Sequence, residues 1–100
     1  MALLLDADVQ SELESMDGWV FDSNTIHKDI SFDNYMAGIN FVNQLAKVSE
    51  AHNHHPDLRV GWCQVGVTFT SHDQGGVTNK CISMAKAVES IINCMQHKFR

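Results

Sequence analysis

The chain predicts a single α+β domain over residues 1–100, a four-stranded antiparallel sheet with helices on one face in the order α-β-β-α-β-β-α. Two observations carry that prediction. Short apolar runs come in two pairs, each pair joined by turn-forming residues, as in hairpins. Three other stretches repeat their apolar residues at three-to-four spacing, as amphipathic helices do, and they fall before, between and after the pairs. No linker, low-complexity segment or strong internal repeat divides the chain, although helix followed by hairpin occurs twice.

Asp6 or Asp8 is placed to cap a first helix that carries Val9, Leu13 and Met16 and ends near Gly18. Trp19-Val20-Phe21 and then Ile26, Ile30 and Phe32 form two strands around Asp22-Ser23-Asn24, the second alternating only roughly. From Ser31 or Asp33 a longer helix puts Met36, Ile39, Val42 and Ala46 on one stripe, widened by Tyr35, Phe41, Leu45 and Val48. A face that broad implies burial on two sides, against the sheet and against a partner subunit. Pro56 stops this helix, since it lacks an amide hydrogen and biases His55 away from helical angles.

Leu58, Val60 and Trp62, then Val65, Val67 and Phe69, alternate with other residues on either side of a tight reversal, giving a second hairpin with one apolar face. Gly75-Gly76 marks a loop and Thr78 the cap of the last helix, whose stripe is Ile82, Ala85, Val88 with Ile91, Ile92 and Met95. Gln96 to Arg100 are expected to fray.

Composition narrows the class of function. With 44% hydrophobic and 19% charged residues the chain is an ordinary globular one. Its formal charge of −5 and scattered Lys and Arg argue against direct contact with nucleic acid. Cys63, Cys81 and Cys94 are odd in number and form no CxxC pair, which fits a reducing compartment, the cytoplasm or also the nucleus, better than a disulfide framework. Ala2-Leu3-Leu4-Leu5 lacks the basic start and the length of a signal peptide, and no stretch is long enough to span a membrane.

Chemistry concentrates in Glu50-Ala51-His52-Asn53-His54-His55-Pro56, with His72 at the end of a strand-like run further on. Histidine is the side chain whose ordinary pKa lets it give or take a proton near neutrality. On a continuous helix Glu50 and His54 share a face, so the carboxylate and the helix C-terminus both favour the imidazolium, the latter by roughly 0.3–1 kcal/mol, whereas burial opposes it. If the last hairpin folds back, His72 faces His54 and His55 across a cleft edged by Thr70 and Ser71. Two other readings use the same residues: a helix end merely capped by solvated imidazoles, and a metal site from His52, His54, His55 and His72. Adjacent residues such as His54 and His55 seldom converge on one ion, which weighs against the metal.

The pattern Glu50-x-x-x-His54-His55-Pro56-Asp57, then Thr70-Ser71-His72-Asp73 and Gly75-Gly76, with Gly18-Trp19 and the Phe32 to Phe41 segment, resembles the pterin-4a-carbinolamine dehydratases over nearly the whole chain. The resemblance implies dehydration of 4a-hydroxytetrahydropterin to quinonoid dihydropterin without metal or redox cofactor, in tetrahydrobiopterin recycling. It implies His54 and His72 as the acid/base pair, His55 as the residue that orients the pterin, and Glu50 as support for the imidazoles. Asn53, Leu58, Thr70, Ser71 and Asp73 would surround the ring. It also implies a homo-oligomer, dimer or tetramer. The alternative it carries is a non-catalytic dimerisation module for a transcription factor on the same fold, with a protein as partner. Two positions depart from the family: Leu58 stands where an aromatic residue is common, and Cys81 replaces an acidic residue in the first turn of the last helix, removing a capping box with Thr78.

Overall fold

The computed structural model describes residues 2–98, with side-chain surroundings given as far as residue 95. Its elements are α1 (Asp6–Leu13), β1 (Val20–Asp22), β2 (Thr25–Ser31), α2 (Tyr35–His52), β3 (Asp57–Val60), β4 (Gln64–Phe69) and α3 (Asn79–Lys98). The sheet is ordered β1-β2-β4-β3 and every neighbouring pair is antiparallel, so the expected architecture holds. The two hairpins join through their inner strands, β2 and β4.

Register explains why the helices take one face. Ile26, Lys28 and Ile30 lie opposite Phe69, Val67 and Val65, and all three β4 residues of that set are completely buried. His27, Asp29, Thr68, Gly66, Asp57 and Arg59 point to the other face, which none of the helices among the described residues covers. The rough alternation of β2 has a cause: Lys28 occupies a core-facing position. Its Nζ reaches Glu89 Oε2 on α3 at 2.8 Å, and Trp19 Nε1–H donates to the same oxygen at 3.0 Å. A charge that is mostly out of water is tolerated because it is paired.

Several boundaries differ from those expected. α1 has Leu5 at its N-cap with no side-chain bond, and Asp6 and Asp8 sit in the first turn, where they still complement the helix dipole. The helix itself ends at Leu13, and a turn carries the chain through Met16 to Gly18, which holds a φ of +84°. The cap of α2 is Asn34, whose Oδ1 accepts from the Ala37 amide at 2.8 Å, rather than Ser31 or Asp33. Gln96 to Lys98 continue α3, while Phe99 and Arg100 lie outside the described residues.

The buried stripe of α2 is also rotated. Gly38, Phe41, Leu45 and Ser49 face the core, whereas Met36 is 67% exposed and Ala46 is exposed. The apolar arc of this helix is broad, and the expected stripe ran along its edge; the polar residues Asn40, Asn43, Gln44 and Lys47 mark the side turned away from the core. A Cβ at Gly38 would stand only 3.4 Å from Val65 Cγ2 and 3.5 Å from Phe32 Cδ2, so the helix lies closest to the sheet there. Phe32 and Phe41 then meet at 5.4 Å between ring centres. In α3, Cys81 and Met84 join the expected stripe in the core and Ile92 is only half-buried.

Leu45 has no exposed surface, between α2 and the sheet, so Leu45→Ala should cost about 2–5 kcal/mol through lost burial and a residual cavity. Urea unfolding followed by circular dichroism measures it. A loss under about 1 kcal/mol would place the core elsewhere.

Candidate active site

The histidine segment is shaped by how α2 ends. Asn53 takes a left-handed conformation (φ 49°, ψ 44°), which asparagine tolerates better than other side chains with a Cβ. Its amide bonds Glu50 O at 3.3 Å and the next amide, His54 N, reaches back to Ser49 O at 3.1 Å. This is a Schellman arrangement, and it stops the helix three residues before Pro56 has any effect. Pro56 instead sets the extended entry to β3.

That turn sorts the imidazoles. His52 is the last helical residue and folds back on its own helix, Nδ1 donating to Val48 O at 3.0 Å. His54 turns inward and stacks on Phe69, with ring centres 6.1 Å apart and planes 14° from parallel. His55 turns outward, where Nε2–H donates to the Glu50 carboxylate. Glu50 therefore holds His55 and not His54, because the left-handed residue breaks the i, i+4 relation that a continuous helix would have given.

The second half of the site follows β4. Ser71 N–H donates to Gly76 O at 2.8 Å, and Ser71 O accepts from the amides of Gln74, Gly75 and Gly76. This loop closes on itself and presents His72 and Asp73 at its exposed tip. Beneath it the Ser71 and Thr78 hydroxyls share a hydrogen bond of 2.7 Å, both residues buried. Cys81 Sγ lies 3.6 Å from the Ser71 hydroxyl and 3.4 Å from His54 Nε2. The extended segment before α1 ties down the same corner, with Leu4 N–H donating to Val77 O at 2.9 Å.

The residues expected around the site are thus only partly together. His54 feels the charges of His55, His72, Asp73 and Lys80. Thr70 points its hydroxyl to Asn24 O at 2.7 Å, and the Ser71 hydroxyl is committed internally, so neither edges an open cleft with its side chain. Asn53 is exposed, and Leu58 lies opposite Val67 on the uncovered edge strand. Phe69, Cys81 and Lys80 were not among the expected site residues. Phe69 was legible only as a core position, and Cys81 only as a residue in the first turn of a helix. Among the described residues, no three of His, Cys, Asp and Glu converge to hold a metal ion. A groove on the bare face of the sheet, bordered by His27, Asp29 and Arg59, does not reach His54, His55 or His72.

Burial, above all, pushes the His54 pKa below its ordinary value; the Lys80 cation and the neighbouring His55 and His72 push the same way, and Asp73 opposes them. His54 is therefore neutral at pH 7. A neutral imidazole half-withdrawn from water thus lies near a second on an exposed loop and a third held by a carboxylate, and imidazoles are groups able to accept or give protons near neutrality.

Such a site on an α+β sandwich defines a candidate acid/base catalyst, and comparison with known proteins gives the family. The model for pterin 4 alpha carbinolamine dehydratase matches residues 2–91, and the chain belongs to that family of hydro-lyases. A protein of Aquifex aeolicus provisionally named pterin-4-alpha-carbinolamine dehydratase is 38% identical over 89% of this chain and 90% of its own. One of Thermosynechococcus vestitus, with the same provisional name, is 35% identical over 88% and 93%. The solved transcriptional coactivator/pterin dehydratase of Brucella melitensis superposes with a TM-score of 0.84 at 28% identity, over 89% of this chain and 97% of that one. A pterin dehydratase-like RuBisCO assembly factor of the alpha-carboxysome shares the fold, with a TM-score of 0.62 at 20% identity, over 73% and 84%. Among the described residues, no helix is long and apolar enough to cross a membrane.

The lowered His54 pKa has a consequence for stability. In the window below about 6.5 the unfolded chain binds a proton that folded His54 resists, so stability rises with pH there. Stability present above the ordinary pKa is lost as pH falls through the lowered one. Unfolding midpoints measured between pH 5 and 7 should fall with acidification, and His54→Gln should flatten part of that slope. An unchanged slope in the variant would mean that His54 is not the group responsible.

Proposed function

We propose that this protein dehydrates 4a-hydroxytetrahydropterin to quinonoid dihydropterin and water, in tetrahydrobiopterin recycling, at His54, His55 and His72. In this reaction the C4a–O bond breaks, the hydroxyl leaves as water after taking up a proton, and the proton on N5 is removed as the N5–C4a double bond forms. One group must accept a proton while another gives one. The observation that carries the reading is the division among three imidazoles in one corner of the fold, with His54 neutral against Phe69.

His54 takes the role of base at N5 and His72, on the exposed loop tip, that of acid at the hydroxyl. His55 orients the pterin, and Glu50 acts through it: the carboxylate only accepts, so it keeps the proton on Nε2 and leaves Nδ1 for the substrate. Asp73 flanks His72, and Leu58 and Asn53 supply exposed surface beside the segment. Thr70 and Ser71 contribute by holding the loop. Three cysteines without disulfides accord with a reducing, cytoplasmic setting.

The same proposal includes self-association into a dimer or tetramer. β3 is an edge strand exposed along its whole length, with Leu58 at 37%, Val60 at 43% and the adjoining Trp62 at 81% exposure. Such an edge invites pairing with another copy. Tyr35 and Met36 leave a second apolar area on α2. The rival reading, a non-catalytic dimerisation module, draws on the same surfaces and on the double naming of the Brucella melitensis protein. It gives no reason for the arrangement around His54.

Dehydration of 4a-hydroxytetrahydropterin, generated in situ by a hydroxylase, is expected to accelerate with the wild type. His54→Ala and His72→Ala should each lower kcat by about 10²–10⁴-fold, the usual contribution of general acid–base catalysis. His55→Ala should raise KM more than it lowers kcat. A folded wild type that gives no acceleration would favour the module. Sedimentation velocity at micromolar concentration should show a dimer or tetramer, with Val60→Lys shifting it toward smaller species; a monomeric wild type would refute the assembly.

A further inference from the structure

We infer that Cys81 is a positioning residue for His54: its sulfur accepts the Nε2–H of the ring and thereby leaves the Nδ1 lone pair facing the open side of the site. This rests on the reading of His54 as the base, and it concerns a residue to which that reading gives no part.

The argument begins with the ring's two nitrogens. Nε2 lies 3.4 Å from Cys81 Sγ, within hydrogen-bond range for sulfur. Nδ1 has no protein partner among the described residues. No buried side-chain nitrogen or oxygen there lacks a partner, so Nδ1, having none, is not fully buried, in keeping with the half-buried state of the residue. A base must offer its lone pair to the substrate, and only Nδ1 can do so here. The neutral ring then carries its hydrogen on Nε2, aimed at the sulfur.

The surroundings of Cys81 fit the part of acceptor. The residue has no exposed surface. Its own S–H has an outlet in the Ser71 hydroxyl at 3.6 Å, which in turn can donate to Thr78 Oγ1 at 2.7 Å, and the Thr78 hydroxyl returns to Sγ at 3.9 Å. Every hydrogen in this ring has an acceptor when Nε2–H points at sulfur. The thiol thus does for His54 what a carboxylate does for many catalytic histidines, fixing tautomer and orientation. It does so without a full negative charge. A carboxylate at the same place would stabilise the imidazolium and raise the pKa that burial, Lys80, His55 and His72 hold down against the single opposing charge of Asp73.

The test is nitrogen-15 NMR of the His54 ring across pH 5 to 9 in the full-length protein, with activity measured in parallel. Wild type should show the Nε2–H tautomer above the pKa. Cys81→Ala should give a tautomer mixture and a kcat about tenfold lower at similar KM, a share of the usual acid–base contribution. Cys81→Ser, which keeps an acceptor, should restore the tautomer and most of kcat. Cys81→Asp should keep the tautomer but shift the His54 titration, and the acid limb of the pH–rate profile, to higher pH. Ring signals in a folded Cys81→Ala protein that match the wild type, or a wild type in the Nδ1–H tautomer, would overturn the inference. The NMR result stands whether or not dehydration is observed, so failure of the proposed reaction and failure of this inference are read separately.

Discussion

The pairing of β2 with β4 is the constraint on which the rest of the molecule depends. It joins two hairpins that are each marginal alone, and it sets Ile26 opposite Phe69 at the end of the inner strands. With that register, Val65, Val67 and Phe69 close completely against the helices. A slip of one residue would turn Phe69 to the bare face and leave His54 without the ring it stacks on. Core and site therefore share one residue, and the geometry of the imidazoles follows from the sheet.

The end of α2 shows which local effect wins. A helix C-terminus and a carboxylate four residues upstream both favour a charged imidazole. The left-handed turn at Asn53 cancels the second by swinging His54 away from Glu50 and delivering His55 in its place. Burial beside Phe69 is the main influence that lowers the His54 pKa. One turn thus produces two differently prepared imidazoles from adjacent residues, one neutral against the core and one held by a carboxylate at the surface.

Apolar surface is spent unevenly over the molecule. Ile26, Val65, Val67 and Phe69 of the inner strands and the α2 face centred on Phe41 and Leu45 are fully covered, yet β3 and the start of α2 leave Val60, Trp62 and Met36 in water. On the inner face one charge is admitted, Lys28, at the expense of a shared carboxylate on α3 that also satisfies the Trp19 indole. These features link the exposed edge to association and the paired charge to the way α3 is docked.

Element order, the antiparallel sheet and the helices on one face were legible in the sequence, because alternation and three-to-four spacing are local consequences of strand and helix geometry. The cluster at His54, His55 and His72 was legible too, through residue type and density. The face of α2 was misplaced, since the expected stripe ran along one edge of a broad apolar arc, whereas the polar residues Asn40, Asn43, Gln44 and Lys47 leave Gly38, Phe41 and Leu45 nearer its centre. The pairing of Glu50 with His55 was not legible, since it needs the backbone angle at Asn53. The commitment of Thr70 to Asn24 and of Cys81 to His54 joins residues 46 and 27 positions apart. Sequence alone determined which residue types are available and how they repeat; the tertiary structure decided which of them meet, because contacts between distant residues arise only once the core has fixed the directions of the chain.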